Sequence, residues 1–228
     1  MKKALLTVAL LLSGTISFSQ TPKFEAPNYT KIESNIKDKK SDYYYPNLLE
    51  KFNASDSTMT LEQKRHLFYG FVFQEKYSPY NFSDHSKSLG TLINKENLTN
   101  QDFEKILELS DLILQENPFD LRTLNYKSYS LSKLNKKAEL KKNEIKTNII
   151  MEVLFSSGDG TSKESAFYVI NTSNEYDLIN MIGFQFGGEQ SLIEHYDYLK
   201  LAENKYNIPG FYFDITPCLN HLNKKGFK

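Results

Sequence analysis

The chain of 228 residues has one cysteine, no tryptophan and only two arginines among 28 basic residues. Each scarcity excludes something. A lone Cys218 cannot form an intrachain disulfide, so the fold must rest on its core. Pro217 and Leu219 flank it, which reads as a buried, inert thiol, with an intermolecular bridge as the alternative. With tryptophan absent, 16 Phe and 15 Tyr must supply the aromatic volume of the core. No apolar run reaches the roughly 20 residues of a membrane span. Lys plus Arg equals Asp plus Glu at 28 each, so there is no basic footprint for nucleic acid. HExxH, GxSxG, GxGxxG and P-loop motifs are all missing, and one cysteine excludes a Cys-rich zinc site. No metal or cofactor is expected.

The N-terminus carries a positive signal. Lys2 and Lys3 precede the apolar run Ala4–Leu12, and Ser17 and Ser19 stand just before Gln20. This is the pattern of a secretory signal peptide with a small-x-small cleavage site, here residues 1–19. It predicts an exported protein, periplasmic or extracellular, with no cysteine at the cleavage point to carry a lipid. Cleavage removes two lysines and leaves 26 basic against 28 acidic residues, a formal charge of about −2. The remaining length, about 209 residues, suits one large or two small domains.

Along the chain, residues 20–42 read as a polar arm containing one short helix, Tyr29–Ile36. Tyr45 precedes Pro46 and should be extended, with another short helix over Asn47–Phe52. Thr60 is a good N-cap for a long helix over Leu61–Tyr77, apolar nearly all round and therefore buried on several sides; Gly70 would admit a neighbouring backbone. Pro79 ends it, and Tyr80–Leu98 holds short polar pieces. Thr99 and Asp102 form a capping box ahead of a helix reaching Glu116. Asn117-Pro118 breaks that helix, and two more follow on either side of Asn135. Ser156–Gly160 is a turn cluster. After it come a strand over Ala166–Ile170, a helix over Asn174–Ile182, a strand over Leu192–Leu201 and the clearest strand, Gly210–Ile215. Thr216 and Pro217 open a terminal helix. The expected fold class is α+β: a helical unit over 43–155 packed against a small mixed unit over 156–228 with about three strands.

Two resemblances follow from particular residues. Asn117–Leu154 resembles a single tetratricopeptide repeat, with Asn-Pro before the first helix, Tyr126 and Tyr129 on its inner face and Ala138 where small residues let paired helices touch. Over nearly the whole mature chain, the blocks YYYP (43–46), RHLFYGFVFQEKYSPY (65–80), NPFDLRTLNYK (117–127), SSGDGTSKESAFYVI (156–170) and NEYDLINMIGF (174–184) resemble domain-of-unknown-function family 4919 of secreted Bacteroidota proteins. That resemblance implies a small exported protein of this architecture. It implies no activity and supplies no catalytic residues.

The remaining candidates come from single residues. In so lysine-rich a chain, Arg65 and Arg122 mark places where a planar, permanently charged fork is needed, to clamp a carboxylate such as Asp120, Glu62 or Glu75, or to bind an anionic ligand in a groove. If their helices faced each other, Arg65, His66, Asp120 and Arg122 would make a polar cleft, with Tyr69 and Tyr126 as aromatic binding residues. Glu62 and His66 share a helix face but are too few for a metal site. Asp56-Ser57-Thr58 fits a short O-glycosylation pattern with Ser57 as acceptor. The leading functional expectation is a non-enzymatic module of the cell envelope that binds a protein or peptide. A small hydrolase built on the polar cleft and a structural envelope component are the alternatives.

Overall fold

A computed structural model describes residues 24–225. The predicted signal peptide and the first residues of the predicted arm lie outside this range. Seven helices come first. Helix α1 (Tyr29–Lys37) starts at Asn28, whose side chain accepts from the Lys31 amide at 3.0 Å, and it buries Ile32 and Ile36. Helix α2 (Tyr45–Asn53) begins earlier than expected. Its proline sits in the first turn, where no amide is needed. The extended residue is Tyr44 (φ −55°, ψ 122°), and Tyr45 turns its ring into the core.

Helix α3 (Leu61–Gly70) carries the Thr60 cap, completed into a capping box by Gln63. It is shorter than the predicted 61–77 helix. Phe71–Phe73 tighten into a 3-10 turn, Gln74 is extended, and the Gln74 side-chain amide donates to the Gly70 carbonyl at 3.1 Å. Uniform apolarity hid this break, because a chain that is buried either way shows no change of period. At Gly70 a Cβ would stand 3.2 Å from the Ile36 side chain of α1, so the glycine admits a close side chain rather than the neighbouring backbone expected.

Helix α4 (Ser86–Ile93) was not expected; its eight residues offer only Leu89, Leu92 and Ile93 as an apolar face. Helix α5 (Asn100–Glu116) has the predicted Thr99–Asp102 capping box. Helices α6 (Leu121–Lys133) and α7 (Lys137–Ser157) follow, with α5 packed on α6 and α6 on α7.

Then come β1 (Phe167–Tyr168), α8 (Ser173–Met181), β2 (Phe186–Ile193), β3 (Tyr196–Leu201), β4 (Gly210–Asp214) and α9 (Thr216–Lys225). Among the described residues the fold is α+β, helices first and strands last, with four strands where about three were expected. The predicted single strand over 192–201 is a hairpin. Glu194 turns the chain at φ 62° and Ile193 pairs with Tyr196; without Gly or Asn at that turn, the usual hairpin signal was missing. Sheet order is β1-β4-β3-β2, with β1 parallel to β4 and the other pairs antiparallel. One apolar core runs from Ile32 to Cys218 and joins both halves of the chain; a second, smaller one lies under α4 and α5, around Leu89, Phe103 and Ile106. No helix among the described residues is long and apolar enough to cross a membrane.

Candidate functional site

A cavity of about 500 Å³ opens where three chain segments meet. The first is the stretch after the 3-10 turn, residues 76–86. The second is the end of α5 with the Asn117–Asp120 turn. The third is the approach to α8, Ile170–Asn174.

Local chemistry explains each wall. The Asn117 side chain accepts from the Phe119 amide at 3.1 Å and folds the NPFD turn. That turn delivers Phe119 into the core, where its ring meets Phe52, Phe68 and Phe71 at 5.3, 5.5 and 5.3 Å. Asp120 then caps α6 by accepting from the Thr123 amide at 2.8 Å. Tyr77 donates its hydroxyl to the Ile170 carbonyl at 2.8 Å and packs edge-on against Phe71; burial pushes its phenol well up. Pro79 is buried, whereas Tyr80 and Phe82 stand out at the rim, Phe82 with 80% of its surface exposed. Burial also pushes the Tyr80 phenol up, to about 12.

The wall formed by the start of α8 is unusual. Asn174 is 1% exposed, and neither its amide nitrogen nor its amide oxygen has a partner. A buried polar group left unpaired costs about 1–3 kcal/mol. Next along α8 is Glu175, fully buried, its carboxyl pushed up to about 9 by burial and by the Asp197 carboxyl beside it. It is therefore protonated at neutral pH, although neither of its carboxyl oxygens has a hydrogen-bond partner. Asp197 accepts from the Gln190 amide at 2.8 Å, and Gln190 accepts from the Tyr176 hydroxyl. This polar chain ties α8 to the β2–β3 hairpin and has no opening to the cavity.

Residues 30–224 match the family model described as "Domain of unknown function (DUF4919)". The chain belongs to this family. No curated protein and no solved structure matches it. The whole cavity lies inside the span that defines family membership.

The sequence candidates distribute over several interfaces. Arg65 is 4% exposed; it donates to Ser156 Oγ at 2.6 Å and to the Glu25 carbonyl at 2.7 Å, and lies over the Tyr69 ring. Its nearest carboxylate contact is Glu62, at 3.8 Å. His66 accepts a hydrogen bond from the Asn35 side-chain amide on Nε2 at 3.0 Å, so its own proton is on Nδ1 and is donated to the Glu62 carbonyl at 2.8 Å. Burial lowers its pKa, and Tyr43 stacks on it at 4.0 Å. Tyr69 is fully buried. Arg122 reaches Asp177 of α8 at 2.9 Å, an acid outside the three expected. Burial outweighs this partner and pushes Asp177 up to about 6. Tyr126 packs on the smaller core.

Of these six residues, Asp120 alone lines the cavity. Ser57 is exposed in the turn before α3, where Asp56 accepts from the Thr58 amide at 2.8 Å and hydroxyl at 2.6 Å. No group of three or more His, Cys, Asp or Glu placed to hold a metal occurs among the described residues. The cavity residues that composition and motif searching missed are Tyr77, Tyr80, Phe82, Glu116 and Asn174. A usable signal was present, since three of the five family-like blocks end or begin here, at KYSPY, NPFD and NEYD.

Proposed function

We propose that this protein is an exported, non-enzymatic module that binds a protein or peptide of the cell envelope in the cavity behind Tyr80 and Phe82. One observation carries the reading: Asn174, a buried amide with both polar atoms unpaired, in the wall of a 500 Å³ cavity rimmed by exposed aromatic side chains. That volume is in the range of ligand sites, which combine apolar walls with a few polar groups. The hydrolase reading has less support. Arg65 and His66 are committed to contacts with Ser156, Glu25 and Asn35, and the Glu175–Asp197 carboxyls are buried away from the cavity. Export rests on the N-terminal sequence pattern and is tested by fractionating the native cells with an antibody to the mature chain.

The binding reading is tested by screening peptide and saccharide fragments against ¹⁵N-labelled mature protein. Ligand-induced shifts confined to residues 76–86, 116–120 and 170–174 are expected. Shifts clustering elsewhere, or none from any fragment, would overturn the assignment.

A further inference from the structure

We infer that the cavity selects an alkylammonium group, borne on a lysine side chain or on a free diamine; this deepens the binding reading and rests on it. The walls carry the argument first. Phe71, Tyr77, Tyr80, Phe82 and Phe119 all line the cavity, and the negative faces of aromatic rings attract organic cations, most strongly where water is excluded.

Charge is the second argument. Three carboxylates, Asp84, Glu116 and Asp120, line the same space against one ammonium, Lys76. Lys76 already donates to the Gln115 carbonyl at the C-terminal end of α5, at 3.5 Å. The protein's own ammonium thus sits at the negative end of that helix.

The third argument is what the site withholds from anions. The start of α8 and Asp120, which caps α6, also line the cavity, and these backbone donors beside them are taken. The Thr123 amide is taken by Asp120, the Ser173 amide by the Asn171 side chain at 2.8 Å, and the Asn174 and Glu175 amides by the Asn171 and Thr172 carbonyls. What remains unsatisfied is the Asn174 amide, buried in the wall of the same cavity. Its oxygen is an acceptor suited to an ammonium N–H; its nitrogen is an unpaired donor as well, so the preference for a cation comes from the carboxylates and the aromatic rings.

The test is calorimetric titration of the mature protein at low salt with four probes: N-acetyl-lysine methylamide, cadaverine, N-acetyl-norleucine methylamide and N-acetyl-glutamate methylamide. The two cations should bind and the other two should not. Raising the salt to 0.5 M should weaken binding. Asp84→Asn and Glu116→Gln, both at exposed positions that leave the core intact, should each weaken it about two- to fivefold. Phe82→Ala should weaken it by a similar factor, about two- to fivefold. Tighter binding of the lysine probe assigns the source to a polypeptide, and tighter binding of cadaverine to a polyamine.

Norleucine binding as tightly as lysine, or a preference for glutamate, would overturn the inference while leaving the cavity a ligand site. Silence from all four probes, while other fragments shift the cavity resonances, would also overturn it and spare the binding reading. Silence at the cavity from every fragment would overturn both.

Discussion

Phe119 lies outside any helix or strand, yet removing its ring should damage this protein as severely as removing a helix-borne core side chain. The ring is 1% exposed and touches Phe52 of α2, Phe68 of α3 and Phe71 of the 3-10 turn. It therefore joins three elements. Truncating a buried Phe to Ala costs about 3–5 kcal/mol, the upper end applying where neighbours cannot collapse into the void. Rings held by three separate elements, each fixed by its own backbone hydrogen bonds, are poorly placed to collapse. For a chain of this size 1 kcal/mol shifts the melting temperature by about 2–4 °C, so Phe119→Ala should lower it by about 6–20 °C. Phe119→Leu should retain most of that stability. Urea unfolding followed by circular dichroism gives the free energy directly, with Phe155→Ala, at a 44% exposed site, as the control expected to lose little. A Phe119→Ala loss below about 1 kcal/mol would mean that the cluster is loosely packed, and would refute both the hub argument and the rigid cavity wall that depends on it.

Other expectations follow from the same geometry. Arg122→Lys removes the planar donor that reaches Asp177 and should cost about 1 kcal/mol by chemical denaturation; unchanged stability would show that the pair is not structural. Glu175 is protonated in the native state and has a native pKa of about 9, above that of an exposed glutamate. Between about pH 4.5 and 9 the native state therefore binds more protons than the unfolded state, and stability should fall as pH rises through that window. Glu175→Gln should flatten this slope; a slope identical to wild type would mean that Glu175 is ionised in the fold. At Gly158 a Cβ would meet the Ser165 and Ala166 carbonyl oxygens at 2.1 and 2.3 Å. Gly158→Ala should accordingly cost about 3 kcal/mol, and a variant melting like wild type would reject that packing.

Some parts of this fold were written locally and others were not. The Thr60 cap, the Thr99 capping box, the Asn-Pro break and the GFYFD strand are decided within four or five residues, and each lies where the chain predicts it. The end of α3 depends on what Phe71 and Tyr77 find elsewhere, so periodicity could not place it. The β2–β3 turn runs through Glu194 in a left-handed conformation that only the sheet's register justifies. The site was hidden for the same reason. Arginine scarcity singled out Arg65 and Arg122, but Arg65 ties α3 to Ser156 of α7 and to the Glu25 carbonyl, and Arg122 reaches Asp177 of α8. The cavity is made of Tyr, Phe and Asn, too common in this chain to stand out individually, and three distant segments bring them together.

Among the described residues, the last strand in chain order occupies an interior place in the sheet. Strand β4 lies between β1 and β3, pairing Phe213 with Phe167 on one side and with Asp197 on the other. Until residues 210–214 arrive, β1 and the hairpin share no hydrogen-bonded ladder, whereas the contacts among α5, α6 and α7 are all sequence-local and can form early. Closing the sheet is thus a late, non-local event in folding, and a chain cut before Gly210 would lose α9 and the core side chains Phe211, Phe213, Ile215 and Cys218 and leave β1 and β3 as open edges.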